Sequence, residues 1–158
     1  MLKVQIIAVG KVKEPWMREG IAEYQKRLSA YCRMEIIEIE EYRLGMNPSA
    51  AEIEKGMQEE GHRILQKAEN SLCCPLCIEG RQVSSEELAS FLMESAQRCS
   101  SISFIIGGSF GLSGEVKAAG VQKLSFSRMT FPHQLARVLL CEQLYRAFSI
   151  NAGGKYHK

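Results

Sequence analysis

Short apolar segments alternate along this chain with longer segments of mixed polarity. The first apolar segment, LKVQIIAV, is apolar on both faces, which is typical of a strand inside a parallel sheet. The pattern predicts five strands, at residues 2–9, 33–39, 72–78, 102–106 and 121–126. Because helical segments separate these strands, the sequence predicts an α/β domain whose mostly parallel sheet carries helices on both faces.

Apolar residues recur at helical spacing in the segments between the strands. Pro15 suits the first turn of a helix, and the sequence SSEE at residues 84–87 is typical of a capping box at a helix start. Gly80 is expected to turn the chain before that helix. The pattern predicts helices at residues 15–28, 49–69, 84–99, 114–119 and 133–150.

The last predicted helix is more apolar than a surface helix needs to be. Its apolar residues cover well over half of its circumference, whereas packing on a sheet requires a narrower stripe. They are Leu135, Val138, Leu139, Leu140, Cys141, Leu144, Tyr145 and Phe148. Either a second copy of the chain covers the outer side, or the helix is deeply buried in a monomer. At this chain length we favour a symmetric homodimer.

The composition is that of an ordinary globular domain. The chain has 158 residues, 46% hydrophobic and 24% charged, which fits a single domain with its own core. The net charge of +2 neither requires nor excludes nucleic acid, because a local basic patch can be hidden in a neutral total. No apolar segment is long enough for a signal sequence or a membrane span, so a cytoplasmic protein is expected.

Six cysteines occur without a secretory signal, so reduced thiols are expected. Cys74 and Cys77 match the C-x-x-C motif of redox and zinc sites. They lie inside a predicted strand, however, where positions three apart point to opposite faces, and the sequence offers no second pair of ligands. Buried, inert thiols and no bound metal are therefore the expectation.

Two loops that follow predicted strands have the composition of ligand-binding loops. Residues 107–111, GGSFG, match neither the dinucleotide fingerprint nor the phosphate loop, so they indicate either a ligand loop without a phosphate signature or a plain turn. Residues 126–133 form either a second wall of the same pocket or an ordinary connection. His133, at the helix start, is placed either to contact a substrate or simply on the surface.

The chain ends in a polar and aromatic tail, Lys155-Tyr156-His157-Lys158. Tyrosine and histidine side chains stack on unpaired nucleobases, and lysines bind phosphates. The alternative is a disordered chain end without a function.

The segments IIGGSFGLS and LSFSRMTFPHQLARVLLCEQLYRAFSINAGGKYHK resemble a SPOUT-class family of small bacterial methyltransferases, and so do VQIIAVGKVKE, AEYQKRL, EGHRIL and SSEELA. Members of this family methylate N3 of a pseudouridine in 23S rRNA. The resemblance covers nearly the whole chain. It implies a single domain with a C-terminal trefoil knot, formed by roughly residues 72–158. It also implies S-adenosylmethionine as the cofactor, bound at the knot, and a homodimer as the assembly.

The family pattern further implies which residues bind the cofactor. Carried over position by position, these are Leu76, Gly107, Phe126, Ser127, Arg128, Met129, Thr130 and Phe131. This chain departs from the pattern in the same region. Cys77 stands where relatives often have an acidic residue, and Ser109-Phe110 replaces a Pro-Glu or Ser-Asn pair.

The resemblance places the remaining chemistry in the last helix and the tail. His157 is expected to act as the base or to orient it, Tyr156 to stack or hydrogen-bond, and Arg137 to anchor a carbonyl or a phosphate. Because the tail extends away from its own helix, we expect it to complete the pocket of the partner subunit. Contacts with the substrate are expected from His133, Lys155 and Lys158.

Assembled ribosomes, recognised by shape, are the expected substrate, because a chain with a net charge of +2 does not bind a lone RNA fragment tightly by electrostatics. The alternative is a non-catalytic RNA- or ribosome-binding module that uses the knot only as a scaffold. A nucleotide-dependent oxidoreductase is a weaker alternative, because the G-x-G-x-x-G fingerprint is absent. Calorimetry with S-adenosylmethionine distinguishes a methyltransferase from a non-catalytic binder.

Overall fold

Five strands form one sheet in the computed structural model, which describes all residues from Met1 to Lys158. They are β1 (Lys3–Val9), β2 (Arg33–Ile39), β3 (Leu72–Gln82), β4 (Ser101–Ile106) and β5 (Leu124–Ser125). Their order in the sheet is β2-β1-β4-β3-β5, and every pairing between them is parallel. The predicted α/β class with a parallel sheet is therefore confirmed.

Five helices connect the strands and cover both faces of the sheet. They are α1 (Pro15–Leu28), α2 (Ala50–Lys67), α3 (Ser85–Arg98), α4 (Gly114–Ala118) and α5 (His133–Asn151). On one face α1, α3 and α5 share a hydrophobic cluster with the sheet, and on the other face α2 and α4 share a smaller one. Along β1, Ile6 belongs to the first cluster and Ile7 to the second, as the pleat of a strand requires. None of these helices has both the length and the apolar composition that crossing a membrane requires.

Local sequence signals set the starts of three helices. Ser84 Oγ accepts a hydrogen bond from the Glu87 N–H at 3.0 Å, and the Glu87 carboxylate accepts one from the Ser84 N–H at 3.2 Å, which completes the predicted capping box. Ser49 Oγ caps α2 by accepting from the Glu52 N–H at 3.1 Å. Pro15 occupies the first turn of α1, where its missing N–H has no intrahelical partner to lose.

The third strand differs from its prediction at the carboxyl end. The predicted strand 72–78 continues to Gln82, and Gly80 lies within it instead of turning the chain. A Cβ at residue 80 would lie 2.6 Å from the carbonyl carbon of Leu124, so glycine is required where β5 approaches β3. β3 pairs first with β4, through residues 72–75, and then with β5.

The fifth strand is much shorter than predicted. Only Leu124–Ser125 of the predicted strand 121–126 keeps strand geometry. The Cys73 carbonyl of β3 accepts a hydrogen bond from the Val121 N–H at 2.9 Å, so this side of β3 faces the segment that leads into β5. Backbone groups two residues apart in a strand point to the same side, so an N–H at residue 75 would also face that segment. Residue 75 is a proline and has no N–H to donate, which interrupts the ladder that the apolar pattern predicts.

Much of the apolar surface of α5 is covered within the protomer. This helix lies between α1 and α3, and none of its residues is exposed. The Tyr145 ring contacts Tyr24 of α1 and Tyr156 of the tail, with ring centroids 6.1 Å and 4.7 Å apart, respectively. Contacts within one protomer therefore account for much of the composition of α5, although five of its eight apolar residues are only partly buried, and the homodimer remains a prediction.

Candidate functional site

A cleft opens where β3 separates from β4. Because β3 pairs with β4 only through residues 72–75, residues 76–79 and the loop after β4 form facing walls. The connection from β5 to α5, residues 126–132, forms the third wall. We call this cavity of about 620 Å³ the strand-end cleft. Its volume is in the range of small-molecule sites, and parallel sheets bind ligands at the carboxyl ends of their strands.

The loop after β4 turns tightly because of its glycines. The Gly111 N–H donates to the Gly108 carbonyl at 3.0 Å, and Gly111 has a φ of 85°, in the left-handed region. A Cβ at Gly107 would lie 2.7 Å from the carbonyl carbon of Gly111, so a larger residue would displace the loop. The fold therefore presents bare backbone, rather than side chains, on this wall of the strand-end cleft.

Serine hydroxyls shape the loop between β5 and α5. Ser125 Oγ donates to the Ser127 carbonyl at 2.9 Å, and Ser127 Oγ accepts from the Met129 N–H at 3.0 Å. Three large apolar side chains are exposed at the strand-end cleft: Ile78 by 51%, Phe126 by 36% and Met129 by 74%. A group of exposed apolar side chains around one cavity indicates a binding surface.

Seven of the eight residues expected to bind the cofactor line the strand-end cleft. They are Leu76, Gly107, Phe126, Ser127, Met129, Thr130 and Phe131. Arg128 is exposed and lies outside the lining, whereas His133, expected to contact the substrate, lies within it. The fold thus brings these residues together, and their contact with a cofactor remains a prediction.

An ion pair that no motif predicts lies at the edge of the strand-end cleft. Lys117 Nζ, on α4, is 2.5 Å from Glu79 Oε1, on β3. The Lys117 ammonium lowers the pKa of the Glu79 carboxyl, so this group stays ionised at neutral pH. Glu79 is the only acidic residue of the lining, and only the fold brings α4 beside this part of β3.

His133 presents a neutral imidazole to the strand-end cleft. Burial lowers the pKa of its ring; Glu41 opposes this effect and Arg137 adds to it. A histidine that is neutral near pH 7 both donates and accepts a hydrogen bond through its two nitrogens. His133 is therefore suited to a polar contact with a bound ligand.

The Arg137 side chain is buried and paired, and it does not line the strand-end cleft. The residue is 1% exposed; its Nη1 donates to Glu38 Oε2 at 2.8 Å and its Nη2 to the Gly10 carbonyl at 3.0 Å. Its Nε is buried without a partner. The guanidinium joins α5 to the ends of β1 and β2. In this arrangement Nη1 and Nη2 are engaged within the protein, which gives Arg137 a structural role, and its expected role as an anchor for a substrate carbonyl or phosphate remains a prediction.

The tail folds back on its own protomer instead of extending away from it. Tyr156 packs edge-to-face on Tyr145, with ring centroids 4.7 Å apart, and its hydroxyl donates to Glu142 Oε1 at 3.1 Å. The Arg146 guanidinium lies 4.8 Å from the centroid of the Tyr156 ring. None of residues 155–158 lines the strand-end cleft of the same protomer. The expectation of an extended tail is therefore wrong for the single protomer.

The His157 ring is held on both sides by charged groups. Because arginine can only donate, the 3.1 Å contact between Arg146 Nη1 and His157 Nδ1 makes this ring nitrogen the acceptor. Nε2 then carries the hydrogen and donates to Glu86 Oε1 at 2.7 Å. In this docked position both ring nitrogens contact charged groups of the same protomer, and the expected role of His157 as the base remains a prediction. Lys155 and Lys158 are exposed.

An apolar groove leads from the docked tail to the strand-end cleft. This α3–α5 groove has a volume of about 350 Å³. The residues that it shares with the strand-end cleft are Leu76, Leu124, Ser125, Phe126 and Phe131. At its other end Ser85 Oγ donates to Gln143 Oε1 at 2.6 Å, and the next residue, Glu86, holds His157. The α3–α5 groove therefore reaches from the strand-end cleft to Ser85, the neighbour in sequence of the residue that holds His157.

The cysteines do not form a metal or disulfide site. All six are free thiols, and no group of three or more His, Cys, Asp or Glu side chains is arranged to hold a metal ion. Cys77 lines the strand-end cleft, where burial raises the pKa of its thiol. Its thiol is therefore a probe of the site rather than a strong nucleophile at neutral pH.

Comparison with known proteins gives matches along the full length of the chain. A family model described as Predicted SPOUT methyltransferase matches residues 2–157. Proteins named Ribosomal RNA large subunit methyltransferase H are similar in Clostridioides difficile (strain 630), at 49% identity, and in Carboxydothermus hydrogenoformans, at 50%. In both cases the match covers 99% of this chain and 100% of the relative.

Solved structures of low sequence identity share the fold. A methylase family protein from Neisseria gonorrhoeae has a TM-score of 0.54 at 18% identity, over 98% of this chain and 85% of its own. A methylase family protein from Haemophilus influenzae Rd KW20 has a TM-score of 0.53 at 12% identity, over 99% of this chain and 70% of its own. These likenesses concern the fold and agree with a knotted α/β arrangement, while the limits of the knot at residues 72–158 remain a prediction. On the match over residues 2–157 and the full-length similarity to its relatives, this chain belongs to the SPOUT methyltransferase family.

Proposed function

We propose that this protein transfers a methyl group from S-adenosylmethionine to the RNA of the large ribosomal subunit. The observation that carries this proposal is the full-length match, at 49–50% identity, to relatives named for that activity. The strand-end cleft is the site that the geometry supports, because seven of the residues expected at the cofactor converge there.

The strand-end cleft has groups that suit S-adenosylmethionine. When bound, this cofactor supplies a methyl group on a sulfonium, which becomes a neutral thioether after transfer. Ile78 and Phe126 offer apolar contacts to a purine ring, and the bare backbone at Gly107 offers hydrogen bonds to its polar edge. The Lys117–Glu79 pair offers both signs of charge to a ligand that carries an amino and a carboxylate group.

The main task of the protein is to align the acceptor with the methyl donor. Alignment of two reactants can lower a barrier by up to roughly 7–11 kcal/mol, whereas removal of a proton by a positioned base adds about 10²–10⁴-fold. Positioning is therefore the larger contribution. His133 is the neutral imidazole that the protomer places at the strand-end cleft, whereas both ring nitrogens of the docked His157 contact charged groups of the same protomer.

The finer parts of the proposal are the acceptor atom and the particle. We propose N3 of a pseudouridine in 23S rRNA as the acceptor and the assembled large subunit or ribosome, in the cytoplasm, as the substrate. The family resemblance supports the acceptor. The net charge of only +2 supports recognition of a structured particle by shape rather than of free RNA by charge.

A homodimer belongs to the proposal because the tail does not reach the cleft of its own protomer. In a dimer the tail of one subunit completes the site of the partner, and the α3–α5 groove offers an apolar route to it. Deleting residues 155–158 is expected to leave cofactor binding intact and to abolish methyl transfer to ribosomes. Transfer near the wild-type rate after this deletion would remove the tail from the mechanism.

Methylation of purified ribosomal particles tests the proposed function. Large subunits from a strain that lacks the protein are incubated with the protein and labelled S-adenosylmethionine, and mass spectrometry of 23S rRNA fragments locates the product. We expect one methyl group at N3 of a pseudouridine. If calorimetry detects no cofactor binding and no particle is methylated, the non-catalytic RNA-binding alternative replaces this proposal.

A further inference from the structure

A second cavity continues from the strand-end cleft along the carboxyl edge of the sheet. This β1–β2 cavity, of about 820 Å³, lies where β1 and β2 end and beside α2. Ser109 lines both the cavity and the cleft, so the two meet at the loop after β4. Any group bound in the β1–β2 cavity is therefore a neighbour of a ligand in the cleft.

A third cavity continues the same groove toward α1. This α1 cavity, of about 390 Å³, shares Lys11 and Glu38 with the β1–β2 cavity, and Arg18 and Arg137 also line it. Glu38 is paired with Arg137 at 2.8 Å, whereas Lys11 and Arg18 make no ion pair within the protein. The buried Nε of Arg137 also has no partner. The α1 cavity thus carries two unneutralised cations, and a concave cationic site attracts an anion.

The β1–β2 cavity has a different character. Its lining includes four acidic and three basic side chains: Glu38, Glu40, Glu41, Glu60, Lys11, Lys13 and Arg43. Such a lining has no net attraction for a phosphate, but its carboxylates accept the N–H groups of a nucleobase. Phe110 is 54% exposed at this cavity and offers an aromatic face on which a base can stack.

Glu60 is the acid best placed to read a base in this cavity. It is 9% exposed, and its Oε2 accepts the Tyr42 N–H at 2.9 Å, which fixes the carboxylate. Its Oε1 lies 3.9 Å from where a Cβ of Gly108 would be, under the loop that borders the strand-end cleft. Burial raises the pKa of this carboxyl, so its carboxylate is a stronger hydrogen-bond acceptor for an N–H group of a base.

We propose that the two cavities form the path of the acceptor RNA strand. The acceptor base occupies the β1–β2 cavity against Phe110 and Glu60, and a neighbouring backbone phosphate lies over Lys11 and Arg18 in the α1 cavity. This proposal rests on the proposed function, since it places the acceptor beside the methyl donor. A strand suits the geometry better than a free nucleotide, because the base site and the anion site are separate cavities joined end to end.

The double variant Lys11→Ala/Arg18→Ala tests the phosphate site, and Arg33→Ala/Arg98→Ala is its matched control. Both pairs are exposed and remove two positive charges, but the control residues lie at the amino-terminal edge of the sheet. Binding of large ribosomal subunits is measured by filter retention without turnover, over a range of salt concentrations. The test variant is expected to bind roughly tenfold or more weakly and to lower the slope of log K against log salt by about 1.4–1.8, that is about 0.7–0.9 per cation.

Two outcomes separate failure of this path from failure of the proposed function. If the test and control variants show the same affinity and salt slope, the path is wrong, whether or not the wild type methylates RNA. If the wild type binds subunits and the salt slope falls as expected but no methyl group is transferred, the two cavities bind RNA without an acceptor role and the proposed function fails. The dissociation constant for S-adenosylmethionine should equal that of the wild type in both variants, which excludes a folding defect.

Phe110→Ala and Phe110→Trp test the base site. Loss of one stacking platform is expected to lower kcat/KM for subunits by roughly tenfold or more, and tryptophan is expected to restore it, because any aromatic face can stack. Cofactor affinity should be unchanged in both variants. Equal loss of activity in the alanine and tryptophan variants would show that residue 110 shapes the loop rather than stacking on a base.

Discussion

Replacement of Arg137 by methionine decides whether this buried residue is structural or catalytic. Methionine keeps an apolar stem but leaves the Gly10 carbonyl and the Glu38 carboxylate without their donor. Removing one partner of a buried ion pair costs about 3–5 kcal/mol. Because the Glu38 side chain is 41% exposed and regains water, we expect a smaller loss of unfolding free energy, about 2–4 kcal/mol.

Thermal unfolding followed by circular dichroism measures this loss. For a chain of this length each kcal/mol lowers Tm by about 2–4 °C, so Arg137→Met is expected to lower Tm by roughly 4–16 °C. Glu38→Gln, which keeps a hydrogen-bond acceptor, is expected to lower Tm less. The double variant should lose less stability than the sum of the single variants, because the two side chains are in contact.

Methyl transfer by the folded variant at low temperature completes the test. A structural Arg137 predicts that the folded fraction of Arg137→Met retains transfer within about tenfold of the wild type. If Tm changes by less than about 2 °C while transfer falls by a thousandfold or more, on the order expected for a lost catalytic group, the structural interpretation is refuted. Arg137 would then act on substrate through a rearrangement of α5.

Three further perturbations test the site and the fold. Alkylation of Cys77 is expected to be slower when S-adenosylmethionine is present. The Cys77→Ser variant, as the control, should show no label that the cofactor protects. Equal labelling with and without cofactor would place the ligand elsewhere. Gly80→Ala should lower stability by about 1–3 kcal/mol, because its Cβ would overlap backbone atoms of β5, whereas Gly45→Ala, with open space around it, should be nearly neutral. The pKa of His133 is lower in the folded chain than in the unfolded one, so the unfolded state binds its proton first and stability is lost as the pH falls below about 6.5. Denaturation between about pH 7.5 and about pH 5 should show a smaller loss for His133→Gln, and an unchanged pH dependence would exclude this histidine as the cause.

Predictions from the sequence are accurate where a segment is determined by its own neighbours. The capping box at Ser84 forms as predicted because its partners are three residues apart. Gly80 is different, because a glycine between polar residues is typical of a turn. Its actual role depends on Leu124, which approaches it only in the folded chain. The sequence around Gly80 does not indicate that Leu124 approaches it, and the sequence around Leu124 does not indicate Gly80. The extension of β3 to Gln82 could therefore not be predicted.

The candidate site also combines segments that local sequence predicts with contacts that only the fold creates. The glycines after β4 and the residues 126–131 are recognisable as segments, and the fold brings both to one cleft. The Lys117–Glu79 pair and the contact of His157 with Glu86 join elements that are far apart in sequence. The burial of Arg137 likewise follows from the position of α5 over the ends of β1 and β2, which helical periodicity does not specify.

The change of partner along β3 connects the fold with the proposed function. After Pro75 the strand leaves β4, and this separation opens the strand-end cleft. The chain then passes beside β3 at Gly80, forms the third wall of the cleft, and enters α5, which carries the tail to Glu86 of α3. One passage of the backbone therefore positions both the cofactor loops and the tail. It follows that a change at Gly80 should weaken cofactor binding and tail docking together, although Gly80 lines neither site.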